Sequence, residues 1–223
     1  MLAYRKDFPA RIPLWVKILY SAFVVVLIPH YIRAYGPTNF LYFCDIALLL
    51  TFVAVWSENA LIVSAASVGI LLPQVLWMLD FLGSAVGAPI TGMTAYMFND
   101  GIPLFARFLS FFHFWLPLFL VWLLMRLGYD RRAVWFWWPL AWALVLISYF
   151  FLPPPPAPPD DPGLPVNINY AFGLSDDRPQ DWMHPVLYLL GLLAALPLVI
   201  FWPTHVLLRR IFPPPQSPPD ARE

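Results

Sequence analysis

Two side chains in this sequence are suited to covalent chemistry. Cys44, the only cysteine, lies in NFLYFCDIALLLT, and His113 lies well inside an apolar run, FFHFWLP. A thiol becomes a nucleophile when a neighbouring base takes its proton, and a deep histidine supplies such a base. That pairing would attack an ester or thioester carbonyl. Asp45 follows Cys44 directly, so on a helix the two side chains point about 100° apart and cannot share one face. Asp45 then turns to a second helix, to pair with Arg107 or His113 or to carry a proton. Asp80, on another apolar run, is the better placed acid to orient the imidazole. Asn167, Asn169 and Tyr170 in VNINYAFG, with Arg107 and Gln74, offer donors for an oxyanion or a lipid headgroup.

Each of these residues also has an ordinary structural role. A free cysteine packs as a small hydrophobe, and asparagines build turns. A carboxylate near a span end reaches the interface, and one inside a bundle forms a structural ion pair. With one cysteine there is no internal disulfide and no paired spacing for zinc or redox chemistry, so no metal or cofactor is expected. A haem held by two of His30, His113 and His184 is a third possibility. It ranks last, because His30 and His184 sit at span ends.

The elements that must position these groups follow from composition. The chain has 223 residues, 61% hydrophobic and 12% charged. Soluble domains are about 45–50% apolar and about 25% charged, so the expectation is an all-α polytopic membrane bundle. Thirteen basic residues balance thirteen acidic ones, which excludes an electrostatic nucleic-acid binder. Apolar runs between polar breaks give six spans: Leu14–Ile32, Asn39–Trp56, Ala60–Leu82, Leu104–Leu127, Ala133–Leu152 and Pro185–Leu208. The break Ser57-Glu58-Asn59 makes the second and third a tight helical hairpin. The first run has a basic flank but no small-x-small cleavage site, so it is read as a span.

With the N-terminus inside, ten basic residues fall on one side and three on the other. Six spans with both termini cytoplasmic satisfy that bias. Residues 1–212 then form the membrane domain of an integral membrane protein, in the inner membrane if the cell is bacterial. The tail 213–223, FPPPQSPPDARE from its preceding phenylalanine, reads as disordered. The long connections, 83–103 and 153–184, face outward. The second opens with a proline run that favours an extended spacer, and VNINYAFG folds back over the bundle. The expected partners are membrane lipids, with a protein partner docking through the proline-rich loop or the tail. The sequence leaves the oligomeric state open.

Depth sorts the polar groups. Cys44 and Asp45 fall about 8–9 Å below the outer end of the second span, and His113 about 14 Å below that of the fourth. His30, Asn39, Gln74, Asp80, Arg107, Asn167, Asn169, Tyr170 and His184 join them in the outer half. His205, in FWPTHVLLRR, is the exception. A through-going transporter places polar groups near the midplane and on both sides of it. The bias here predicts a cavity open to the outer leaflet.

Taken together, YFCDIALLLT, FFHFWLP and NINYAFG resemble three motifs of the androgen-induced-protein-like superfamily, in its bacterial branch. The resemblance covers the order of spans and these short motifs. It implies a polytopic membrane lipid hydrolase or acyltransferase, with a helix-borne nucleophile and an intramembrane histidine matching Cys44 and His113. The Asn169-Tyr170 pair matches a loop motif of that branch. Asp45 beside the nucleophile departs from this chemistry, since two adjacent charges oppose each other. The proline run is likewise outside the pattern.

Overall fold

The computed structural model describes residues 12–161 and 163–215. Among these residues all regular structure is helical. The first helix, α1 (Leu14–Tyr35), ends at Gly36, whose φ of +78° suits a residue without a side chain. α2 (Phe43–Ser57) and α3 (Ala60–Ala85) form the expected hairpin. Glu58 takes a left-handed conformation there, and Asn59 Oδ1 accepts from the Leu61 and Ile62 amides to cap α3.

The fourth run is broken into α4 (Leu104–Ser110) and α5 (Phe112–Leu127). α6 spans Ala133–Phe151. The last run is α7 (Pro185–Ala195), a widened π turn over Leu196–Phe201, and α8 (Trp202–Ile211). The π turn follows from Pro197, which has no N–H to give the Leu193 carbonyl. The Trp142 indole supplies that hydrogen bond from α6, at 2.8 Å.

Five of these segments are long and apolar enough to cross a membrane, and α2 is a shorter apolar helix. α3 is the hub and packs against α2, α5, α6 and α8. Its middle, Val63 to Ile70, is buried on every side and built from small residues. Small residues let membrane helices approach closely. The Trp137 indole of α6 lies where a side chain on Gly69 would be, so only glycine fits at that crossing. α1 and α7 expose their leucines, valines and tryptophans on the outside of the bundle.

The loops 86–103 and 152–184 gather at one end, called here the loop end. The turns after α2 and α5 lie at the other, the turn end. There Lys17 pairs with Glu58 at 2.7 Å. The Tyr129 hydroxyl bonds His205 Nδ1 at 2.6 Å, and the Asp130 amide bonds Ser64 Oγ at 2.9 Å.

Two expectations change. The second span does not begin at Asn39, because Pro37–Leu41 form a separate 3₁₀ turn and Tyr42 is extended. α2 is therefore 15 residues long, about 22 Å at the helical rise and short of a roughly 30 Å hydrocarbon layer. The start of the tail is not loose either, since Pro213 O accepts from the Tyr129 amide at 2.8 Å. The rest of the tail, and the basic residues Arg5, Lys6, Arg11 and Arg222, lie outside the described residues.

Candidate functional site

The late start of α2 relocates Cys44 and Asp45. They occupy the first turn of a short helix, instead of lying about one and a half turns down a spanning one. An acid in a first turn faces the positive end of the helix dipole, a favourable place for it. The helix start is capped from far away. Asn169 Oδ1 accepts from the Phe43 amide at 2.9 Å, and its Nδ2 donates to Leu41 O at 2.9 Å. The Cys44 thiol is partly buried beside the Cys44 and Asp45 amides. It makes a long 3.9 Å contact with Asp45 Oδ2, which also receives the Asn39 amide at 3.4 Å.

His113 is positioned by the break between α4 and α5. Phe114 N bonds Phe111 O, which leaves the Ser110 carbonyl without its usual helical donor. The imidazole takes that place, with Nδ1 at 2.7 Å from Ser110 O. A carbonyl only accepts, so Nδ1 carries hydrogen and, in the neutral ring, Nε2 holds the lone pair. The ring stacks on Trp77 with centroids 5.2 Å apart, and on Phe112.

Beside His113 lies a set of hydroxyls. The Tyr96 and Ser110 hydroxyls are 2.9 Å apart, and Trp77 and Tyr31 approach the same pair. Burial holds the Tyr96 phenol above its ordinary pKa, and Cys44 and Asp45 are near enough to push it further. Tyr42 is raised by burial as well, with Asp176, Cys44, Tyr170 and Asp45 around it. Tyr31, Tyr96, Ser110, Trp77 and His113 thus form one cluster, and Cys44 and Asp45 lie within electrostatic reach of its two phenols.

Several expected partners are engaged elsewhere. Asp80 does not orient His113. Its carboxylate accepts from the Ile90, Thr91, Gly92 and Thr94 amides and from Thr94 Oγ1, at 2.6–2.9 Å. Asn167, at φ +50°, donates to Gly173 O, Ser175 O and Asp176 Oδ1 and accepts from Phe172 N. Both loop asparagines thus hold the backbone in place, Asn167 in a turn and Asn169 as a cap. Arg107 reaches Met97 O at 3.3 Å and Asp100 at 3.5 Å, so it braces the same loop. Tyr170 is 42% exposed at φ +59°, and its carbonyl accepts from the Tyr188 hydroxyl. Gln74 is buried, with Oε1 lacking a donor.

The three candidate haem ligands stand apart. His30 packs on Phe105, and His184 Nδ1 accepts from Val186 N at the start of α7. Among the described residues, no group of three or more His, Cys, Asp or Glu could hold a metal ion. Two open depressions lie at the turn end and include none of the candidate site residues. One, about 470 Å³, runs between α1 and α5 past Tyr20, Phe23, Trp115, Phe119, Trp122 and Arg126. The other, about 430 Å³, is bordered by Lys17, Trp56 and Glu58.

Sequence reading missed Tyr31, Trp77, Tyr96 and Ser110. Ser110 carried a signal, since a residue three before His113 lies on the same helical face. The fold defines an α-helical, multi-pass integral membrane protein. Compared with known protein families, characterised proteins and solved structures, the chain shows no match.

Proposed function

We propose that this protein performs acyl transfer or ester hydrolysis on membrane lipids, at a site where Cys44 is the nucleophile and His113 the base. The loop end then faces outward, as the basic residues of the sequence require. One observation supports the reading: the Ser110 carbonyl fixes the His113 tautomer, leaving Nε2 as the basic nitrogen of a cluster whose Tyr96 lies within electrostatic reach of Cys44. His113 Nε2 takes the thiol proton as sulfur bonds to the ester carbonyl carbon. The first-turn amides of α2, at the positive end of its dipole, are the available donors to the oxyanion. The carbon–oxygen bond breaks, the leaving alkoxide takes the proton from the imidazolium, and a thioester remains on Cys44. Water or a lipid hydroxyl then resolves it. The three sequence motifs support the same class of reaction.

A thiol-directed activity probe tests this, with lipid turnover in Cys44→Ala, Cys44→Ser and His113→Ala. Each variant should lose at least about 10²-fold in turnover, the scale of one general base. Unchanged turnover in Cys44→Ala removes the proposal. A second reading, a lipid- or partner-binding accessory protein without chemistry, is favoured by the loop bonds that occupy Asp80, Asn167 and Arg107. It expects these variants to change stability alone.

A further inference from the structure

Asp45 is only 3% exposed, and its Oδ1 has no donor. Its Oδ2 has two long contacts, from the Asn39 amide at 3.4 Å and the Cys44 thiol at 3.9 Å. The ion pairs among the described residues are Lys17–Glu58, Arg107–Asp100, Arg132–Asp130 and Arg178–Asp181, and none reaches it. The groups that face it are Tyr31 from α1, Asn39 and Tyr42 from the 3₁₀ stretch, Cys44 from α2 and Tyr96 from the loop. None of them carries a positive charge. A buried carboxylate is costly without a compensating charge and donors, and most of all inside a membrane.

Gln74 repeats the pattern on the neighbouring helix. It is 5% exposed, and its Oε1 also lacks a donor. From the hairpin turn, Asp45 lies about 18 Å up α2 and Gln74 about 21 Å up α3, so the two sit at nearly one depth. α2 and α3 pack along their length. Gln74 also lies one helical turn below Trp77, against which His113 stacks.

We infer that Asp45, with Gln74 as a second oxygen donor, is an exchangeable binding site for a single positive charge, a proton or a sodium ion. Both unpartnered atoms are hard oxygens, and the surrounding phenols of Tyr31 and Tyr96 add more of the same kind. This donor set suits such a charge better than a transition metal, which prefers imidazole and thiolate. A proton converts Oδ1 from an acceptor without a partner into a donor. A sodium ion supplies the missing charge directly. Loading also leaves Cys44 beside a neutral neighbour, removing the opposition to its ionisation. The site stands independently of the acyl-transfer reading, because neither its occupant nor its test involves turnover.

Purified full-length protein in nanodiscs provides the test, by infrared difference spectra across pH and by thermal unfolding with sodium replaced by choline. In the proton case, wild type shows a protonated-carboxyl band that disappears on alkalinisation and is absent from Asp45→Asn. In the sodium case, wild type is stabilised by sodium and not by choline, and Asp45→Asn shows no such response. Gln74→Met keeps the shape and loses the oxygen, so the pH or sodium midpoint should move about threefold or more. Absence of both signals, or their survival in Asp45→Asn, overturns the site. An unmoved midpoint in Gln74→Met overturns the shared donor set.

Discussion

Two aspartates at the same end of the bundle are treated in opposite ways. Asp80, at the top of α3, is fully buried and accepts five hydrogen bonds, four of them from backbone amides. Those bonds fold residues 90–94 onto the helix, and the acid serves as a peg for a loop. Asp45, at the top of α2, is almost as buried, yet one of its oxygens touches no donor. The two acids are the same residue type and both are shielded from solvent, so the contrast lies in what the neighbouring backbone does. A loop turns its amides toward Asp80, whereas near Asp45 the Phe43 amide goes to Asn169 Oδ1 and the Ile46 amide to Tyr42 O. Saturation marks an acid that holds the fold. Its absence is what the proposed cation or proton site at Asp45 rests on.

Removing the peg should have the largest effect. Asp80→Ala orphans four loop amides and should cost about 3–5 kcal/mol in reversible unfolding. Asp80→Asn should cost roughly half as much, since one acceptor oxygen remains. If both variants unfold like wild type, the contrast fails on its saturated side.

The α2 cap comes next. Asn169→Ala removes the acceptor for the Phe43 amide and a residue type that tolerates φ +58°. The expected cost is about 1–2 kcal/mol. Asn169→Gly, which relieves the backbone without restoring the cap, should fall between. Amide exchange at Phe43 is the local readout and should quicken in both.

Asp45→Asn should lie within about 1 kcal/mol of wild type, or be more stable, because it removes an uncompensated buried charge. A loss as large as that of Asp80→Asn would erase the difference between the two acids.

A third acid calibrates the comparison and should show the smallest effect. Asp130, at the turn end, is held below its ordinary pKa by the Arg132 side chain hydrogen-bonded to it. Its folded pKa lies below the unfolded value of about 3.9, so its contribution is complete above that pH and fades as pH falls further. The pair is exposed on the arginine side, which keeps the contribution small. The melting-temperature difference between wild type and Asp130→Asn should be present at neutral pH and vanish in acid.

The spans were legible because a membrane helix needs a long apolar run, and hydropathy registers that directly. The start of α2 was not. Phe40, Leu41 and Phe43 read as one apolar stretch, while Pro37 and the extended Tyr42 break it by backbone geometry alone. The chemistry of the loop residues was equally hidden. The sequence shows that Asn167 and Asn169 carry amides, but only the fold shows that one holds a turn and the other caps α2. His113 was legible as a deep histidine. Its anchor was not, because a helix break frees the Ser110 carbonyl, and no side-chain type reports that.

The bond from Asn169 to Phe43 joins positions 126 residues apart. On the ribosome, α2 is made long before its cap exists, and three further membrane segments must follow before the latch arrives. Until then the top of α2, with Cys44 and Asp45, waits unfinished in the bilayer. Closing this corner of the bundle is therefore among the last acts of assembly, and a chain truncated before residue 169 would expose it.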